Sequence, residues 1–157
     1  MKMRYILILE LVWGAISALL AFAVVYPYYP NLIVETPFFI PNVVMAVLLV
    51  QYLRHIFFFR QSLLGNSGWL IYFIPFTVIP LIVYMIRNFN EMAHFFDDTR
   101  WIHSFSYLLT ITEKGQLAKY IKSQFTFMTV ATIISSIGFS VRFMIASWRQ
   151  VNKKEFL

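Results

Sequence analysis

Four long apolar segments dominate this chain and limit what it can fold into. A helix that spans a bilayer needs about 20 apolar residues, because each adds about 1.5 Å against a hydrocarbon core of about 30 Å. Segments that reach or approach this length lie at residues 5–26, 38–59, 69–86 and 125–148. Backbone in lipid must satisfy its own hydrogen bonds, which favours helices. The sequence therefore predicts an all-α integral membrane protein, with four transmembrane helices in one polytopic domain over residues 1–157.

The composition supports lipid as the surrounding solvent and excludes several classes of protein. The chain of 157 residues is 60% hydrophobic and 13% charged, whereas a soluble domain is about 45–50% apolar and about 25% charged. The net charge of +6 is typical of Lys and Arg gathered at membrane edges. The sequence holds no soluble basic domain, so we expect no nucleic-acid partner. Cysteine is absent, which excludes disulfides and thiolate chemistry.

The N-terminal segment begins like a signal peptide. Lys2 and Arg4 precede an apolar run that continues from Tyr5 to Tyr26. This run is longer than the apolar region of a signal peptide, and residues 13–30 offer only poor cleavage sites. We therefore expect the segment to be retained as the first transmembrane helix.

Lys and Arg near the helix ends predict the orientation, because short cytoplasmic loops carry an excess of them. The side that holds both termini carries eight of the 13, namely Lys2, Arg4, Arg54, Arg60, Arg142, Arg149, Lys153 and Lys154. The opposite side carries the other five, namely Arg87, Arg100, Lys114, Lys119 and Lys122. We expect both termini to be cytoplasmic in a bacterial inner membrane, or on the matrix side in an organelle.

The segment between the third and fourth spans, residues 88–123, is the only sizeable hydrophilic region. Its apolar residues recur at every third or fourth position, as in amphipathic helices. Asp97–Thr99 indicates a break, and Thr110 with Glu113 fits a capping box. We predict two short amphipathic helices on the outer membrane surface, one of them over residues 101–111. The apolar pattern leads on into the fourth span, so that helix is expected to begin outside the bilayer.

Six side chains of this loop form a candidate partner or ligand surface: His94, Asp97, Asp98, Arg100, Trp101 and His103. His94 and Asp98 are spaced i, i+4 and, with Asp97 and His103, are competent ligands for a zinc-like ion. The expected helix break disrupts that spacing, and no recognised ligand motif is present. We therefore predict a solvated, partner-facing surface, with neither a metal nor a cofactor.

Three ionisable residues fall inside the predicted spans at a similar cytoplasmic depth: Glu10, Arg54 and Arg142. A charge at the bilayer centre costs about 2.5–3.5 kcal/mol, and less near the interface. Pairing of Glu10 with Arg142 or Arg54 is the economical arrangement and would join two helices. The alternatives are side chains that reach unpaired toward the interface, a proton-coupling carboxylate, and a pair of Arg that binds an anion.

Glu10 lies in the sequence ELVWG, in the first of the four predicted helices. This arrangement resembles the small multidrug transporters, whose first-helix Glu binds protons and cationic drugs in exchange. The resemblance implies proton-coupled transport with Glu10 as the exchanging group. The long outer loop and the two Arg near Glu10 depart from the pattern of that family.

No catalytic arrangement is visible in the sequence. Ser, His and acidic residues show no pattern for nucleophilic catalysis, and neither a glycine-rich phosphate loop nor a nucleotide fingerprint is present. We therefore expect a non-catalytic subunit or scaffold of a membrane protein assembly, with lipid and other subunits or further copies of itself as partners. Two alternatives remain open: a small proton-coupled transporter that uses Glu10, and a membrane sensor with an outer ligand-binding loop.

Overall fold

The computed structural model of the protein describes residues 2–27, 39–59, 62, 64 and 70–155. These residues form four α-helices, each long and apolar enough to cross a membrane. The helices are α1 (Lys2–Val25), α2 (Phe39–Phe58), α3 (Leu70–Asp97) and α4 (Ile111–Glu155), and a 3-10 helix over Thr99–Ser104 connects α3 to α4. The predicted all-α architecture of four spanning-length helices is confirmed. Residues 28–38 and Trp69, which the predicted spans and first outer loop include, lie outside the described residues.

The four helices pack side by side in the order α1, α2, α4, α3. Helix α1 packs mainly on α2, and α4 lies between α2 and α3. Because α1 is at the edge, it exposes large apolar side chains such as Leu11, Leu19 and Phe22. Lipid is the solvent in which such a face costs nothing, and four helices of this kind indicate a membrane location.

Helices α3 and α4 continue far beyond the predicted spans. Helix α3 has 28 residues and α4 has 45, so they are about 42 Å and about 68 Å long against a hydrocarbon core of about 30 Å. The helical turns after residue 86 and before residue 125 form a hairpin, which we call the projecting hairpin (residues 88–123). The structure does not show the two separate short helices that were predicted for this segment. The apolar spacing in each half of the segment continues that of the adjoining span, so the spanning helices extend into it.

The ends of the two long helices lie where local sequence signals placed them. Helix α3 ends at Asp97, at the predicted break, and α4 begins directly after Thr110. The Glu113 carboxylate accepts hydrogen bonds from the backbone N–H and the hydroxyl of Thr110, both at 2.8 Å. These bonds hold the pKa of the Glu113 carboxyl below its ordinary value. The Glu113 N–H donates to the Thr110 hydroxyl at 3.3 Å, which completes the predicted capping box.

The predicted surface helix over Trp101–Ile111 is wrong. Only Thr99–Ser104 is helical, as a 3-10 helix, and the chain then turns at Tyr107 and Leu108 before α4 begins. The capping box at Thr110 explains the difference, because an N-cap residue has non-helical backbone angles and so separates the two elements.

Candidate functional site

An ion pair joins α1 to α2 and consists of two of the three ionisable residues predicted to lie inside the spans. Nη1 of Arg54 donates to Oε2 of Glu10. The Arg54 side chain is 1% exposed and that of Glu10 is 25% exposed. A buried guanidinium is tolerated only with a partner of opposite charge, so this pair fixes the edge helix against its neighbour.

Arg142 lies elsewhere, so Arg54 is the one of the two predicted partners that forms the ion pair with Glu10. The Arg142 guanidinium is 5.7 Å from the centroid of the Phe59 ring, a cation–π distance. The physical reason is the packing order: Arg142 is on α4, which contacts the other side of α2 from α1. The Nε atom of Arg142 is buried and has no hydrogen-bond partner among the described residues.

A second polar contact between α1 and α2 lies next to the ion pair. Gln51 donates from Nε2 to the hydroxyl of Ser17 at 3.0 Å, and that hydroxyl donates to the carbonyl of Trp13 at 2.8 Å. Gln51 and Ser17 were not among the residues predicted from the sequence. The available signal was that Gln51, Arg54 and His55 fall at i, i+3 and i+4 in an apolar helix, which places them on adjoining positions.

A cavity of about 390 Å³ opens beside the ion pair. Its lining residues come from α1, α2 and α4, together with Leu64 after α2, namely Glu10, Gln51, Tyr52, His55, Leu64 and Phe139. The hydroxyl of Tyr52, Nε2 of His55, and Nε and Nη2 of Arg54 are all buried without a hydrogen-bond partner among the described residues. Such atoms are uncommon in folded proteins and call for a functional or hydration role. We refer to Glu10, Gln51, Tyr52, Arg54 and His55 as the polar cluster.

The structure describes the side chains of five of the six residues of the predicted loop surface. His94, Asp97 and His103 are exposed, and Asp97 accepts from Nζ of Lys122 at 3.4 Å. Asp98 is half-buried at the end of the hairpin's first helix. Among the described residues, no three His, Asp or Glu side chains are grouped so as to hold a metal ion.

Trp101 and Arg100 complete the set of six. Trp101 faces the interior of the hairpin, with its ring centroid 6.2 Å from that of Phe96 and 6.0 Å from that of Phe105. The side chain of Arg100 lies outside the described residues. Trp101 is therefore partly buried and packs against the apolar core.

The apolar core of the four-helix part continues into the projecting hairpin. Phe105 is 1% exposed, and Met92, Ile121 and Phe125 are also buried. Nζ of Lys114 donates to the carbonyl of Ile102 at 3.2 Å, which ties the 3-10 helix to α4. This core gives the hairpin a defined shape.

The tip of the hairpin carries three large apolar side chains that point outward. Tyr107, Leu108 and Ile111 are 84%, 82% and 81% exposed, and we call them the apolar tip. Leu108 lies in the segment that was predicted to be helical, residues 101–111. It faces outward because the chain turns at this point, so the helical spacing no longer sets its direction. Clustered exposed apolar side chains are typical of interaction surfaces.

The fold and these two sites define a class: a four-helix protein of the membrane with a projecting helical hairpin. Comparisons with protein-family models, with curated proteins and with solved structures found no match for this chain.

Proposed function

We propose that this protein is a non-catalytic subunit or scaffold of a membrane protein assembly, and that it holds its partner through the apolar tip. The observation that carries the proposal is the exposure of Tyr107, Leu108 and Ile111. Burial of a large apolar side chain contributes about 1.5–3 kcal/mol. A partner protein that offers an apolar groove outside the bilayer would therefore gain from covering these three side chains.

The construction of the hairpin supports a contact role. The apolar tip is next to the buried Phe105 and the capped start of α4. Because the tip is presented on an ordered support, little conformational entropy is lost when it binds. Farther from the tip, the exposed side chains of the hairpin include charged ones such as Lys119 and Lys122, which do not suit an apolar contact. The contact is therefore centred on the tip.

The proposal includes an orientation, with both termini in the cytoplasm of a bacterial cell and the hairpin outside its inner membrane. The excess of Lys and Arg on the terminal side supports it. In spheroplasts, Tyr107→Cys should react with a membrane-impermeant thiol reagent, whereas Asn152→Cys should react only after the inner membrane is permeabilised. The reverse pattern would place the hairpin in the cytoplasm.

Purification in mild detergent tests the contact. The wild-type protein should carry one partner at fixed stoichiometry, and Leu108→Asp should lose that partner because a charge enters an apolar interface. Lys119→Asp is the matched control, since it changes an exposed residue of the same hairpin away from the tip. A wild-type protein that purifies without a partner, or a partner retained by Leu108→Asp, would contradict the proposal.

Proton-coupled transport through Glu10 is the second candidate function. The cavity beside Glu10, with the unpartnered polar atoms of Tyr52 and His55 at its wall, supports it. The ion pair with Arg54 opposes it, because the guanidinium already neutralises the carboxylate. Partner-free protein that carries proton flux in proteoliposomes, with Glu10→Gln folded but inactive, would favour transport over the contact role.

A further inference from the structure

The imidazole of His55 is held in one tautomer by the backbone of its own helix. Nδ1 of His55 lies 2.7 Å from the carbonyl oxygen of Gln51. A carbonyl oxygen can only accept, so Nδ1 of the neutral ring must carry the hydrogen. Nε2 is then left with a lone pair, because a neutral imidazole has one protonated nitrogen. His55 therefore presents a base rather than a donor.

The lone pair of Nε2 receives no hydrogen bond from the described side chains. The atom is buried without a hydrogen-bond partner among the described residues. The ring packs edge-on against Phe139, with centroids 5.7 Å apart, and tilted against Phe143 at 6.3 Å. His55 also lines the cavity that it shares with Glu10 and Tyr52. Aromatic rings thus hold the imidazole in place, and the cavity beside it brings the carboxylate of Glu10 and the hydroxyl of Tyr52 to the same wall.

The charged groups around His55 come mainly from α1 and α2. Glu10 on α1 and Arg54 on α2 both act electrostatically on the ring, and the Tyr52 hydroxyl is the other titratable group at the cavity wall. Helix α4 presents Phe139 and Phe143 to the ring, while its Arg142 lies over Phe59. With His55 neutral, Arg54 is the cation of these groups that pairs with Glu10. A proton on Nε2 would add a second cation, and Glu10 is the one carboxylate among these groups.

We propose that Nε2 of His55 is a proton-binding site, and that its proton competes with Arg54 for the carboxylate of Glu10. The proton comes from water, adds to the Nε2 lone pair and breaks no bond of the protein. Protonated His55 and Arg54 then share one carboxylate, which weakens the ion pair between α1 and α2. The proposal goes beyond the contact function of the apolar tip and requires no transport.

Nitrogen NMR of the wild-type protein, with labelled His and Arg in detergent micelles, tests both parts. Near neutral pH, His55 should show a protonated Nδ1 and an unprotonated Nε2, and acidification should protonate Nε2 in one step. The exposed His94 and His103 are internal controls, because nothing in the described structure fixes their tautomer. A His55 ring that carries its hydrogen on Nε2, or that does not titrate between pH 8 and about pH 4.5, two units below the ordinary value, would overturn the site.

The competition is tested in the same titration. The side-chain resonances of Arg54 should move with the midpoint of His55, whereas those of Arg87, in an exposed pair with Glu91 at 2.9 Å, should not follow it. In His55→Gln the pH response of Arg54 should disappear. Arg54 resonances that stay constant while His55 titrates would overturn the proposed competition for Glu10. This measurement needs only the wild-type protein, so it remains decisive if the variant does not fold.

Discussion

Replacement of Glu10 with Gln is expected to destabilise the protein by about 3 kcal/mol. The change leaves the buried guanidinium of Arg54 without its opposite charge, and loss of one partner of a buried pair costs about 3–5 kcal/mol. The expected value is at the lower end because the Glu10 side chain is 25% exposed. The free energy of unfolding, measured by denaturant titration in mixed micelles, checks the result.

A double-mutant cycle then identifies the partner of Glu10. Glu10→Gln combined with Arg54→Gln should recover part of the loss, because neither site then holds an orphan charge. Glu10→Gln combined with Arg142→Gln should give a coupling energy near zero, since Arg142 lies over Phe59. The exposed pair Arg87–Glu91 is a reference, with an expected coupling of about 0.3–0.5 kcal/mol. Strong coupling of Glu10 to Arg142, or none to Arg54, would contradict the assigned ion pair.

Phe105→Ala is expected to cost about 3–5 kcal/mol, the range for removal of a buried aromatic side chain. Phe105 is 1% exposed and packs against Trp101 in the core of the projecting hairpin. Leu108→Ala, three residues along the chain, should change the free energy of unfolding by less than about 0.5 kcal/mol, because its side chain is exposed. Thermal or denaturant unfolding of the two variants measures the contrast.

Equal effects of Phe105→Ala and Leu108→Ala would mean that the tip is part of the core, or that the hairpin has no core. Either result would remove the physical basis of the proposed contact surface. A strong effect of Phe105→Ala together with a neutral Leu108→Ala shows that Leu108 is available for a purpose other than folding.

Local signals in the sequence predicted the helices and some of their ends. Apolar runs of spanning length indicated four helices, and the structure describes four. The N-cap pair Thr110 and Glu113 was readable because the two residues are three positions apart and meet without help from the rest of the fold. The end of α3 at Asp97 was likewise indicated by neighbouring residues, Asp97–Thr99.

The sites depended on packing, which the sequence does not contain. The depth of Glu10, Arg54 and Arg142 was readable from hydropathy, but the order α1, α2, α4, α3 decided which Arg meets Glu10. The direction of Leu108 depended on a turn within a segment whose spacing resembles a helix. The cavity next to His55 required three helices to be placed together.

Photocrosslinking from the apolar tip in intact cells tests the proposed contact function most directly. A photoreactive amino acid at Leu108 should form one crosslinked product with a single partner protein, and Ile111→Asp in the same chain should abolish it. The same amino acid at Lys119, an exposed position on the hairpin away from the tip, should not form that product. No product from Leu108, or the same products from Leu108 and Lys119, would contradict the assignment of the tip as the surface that binds the partner.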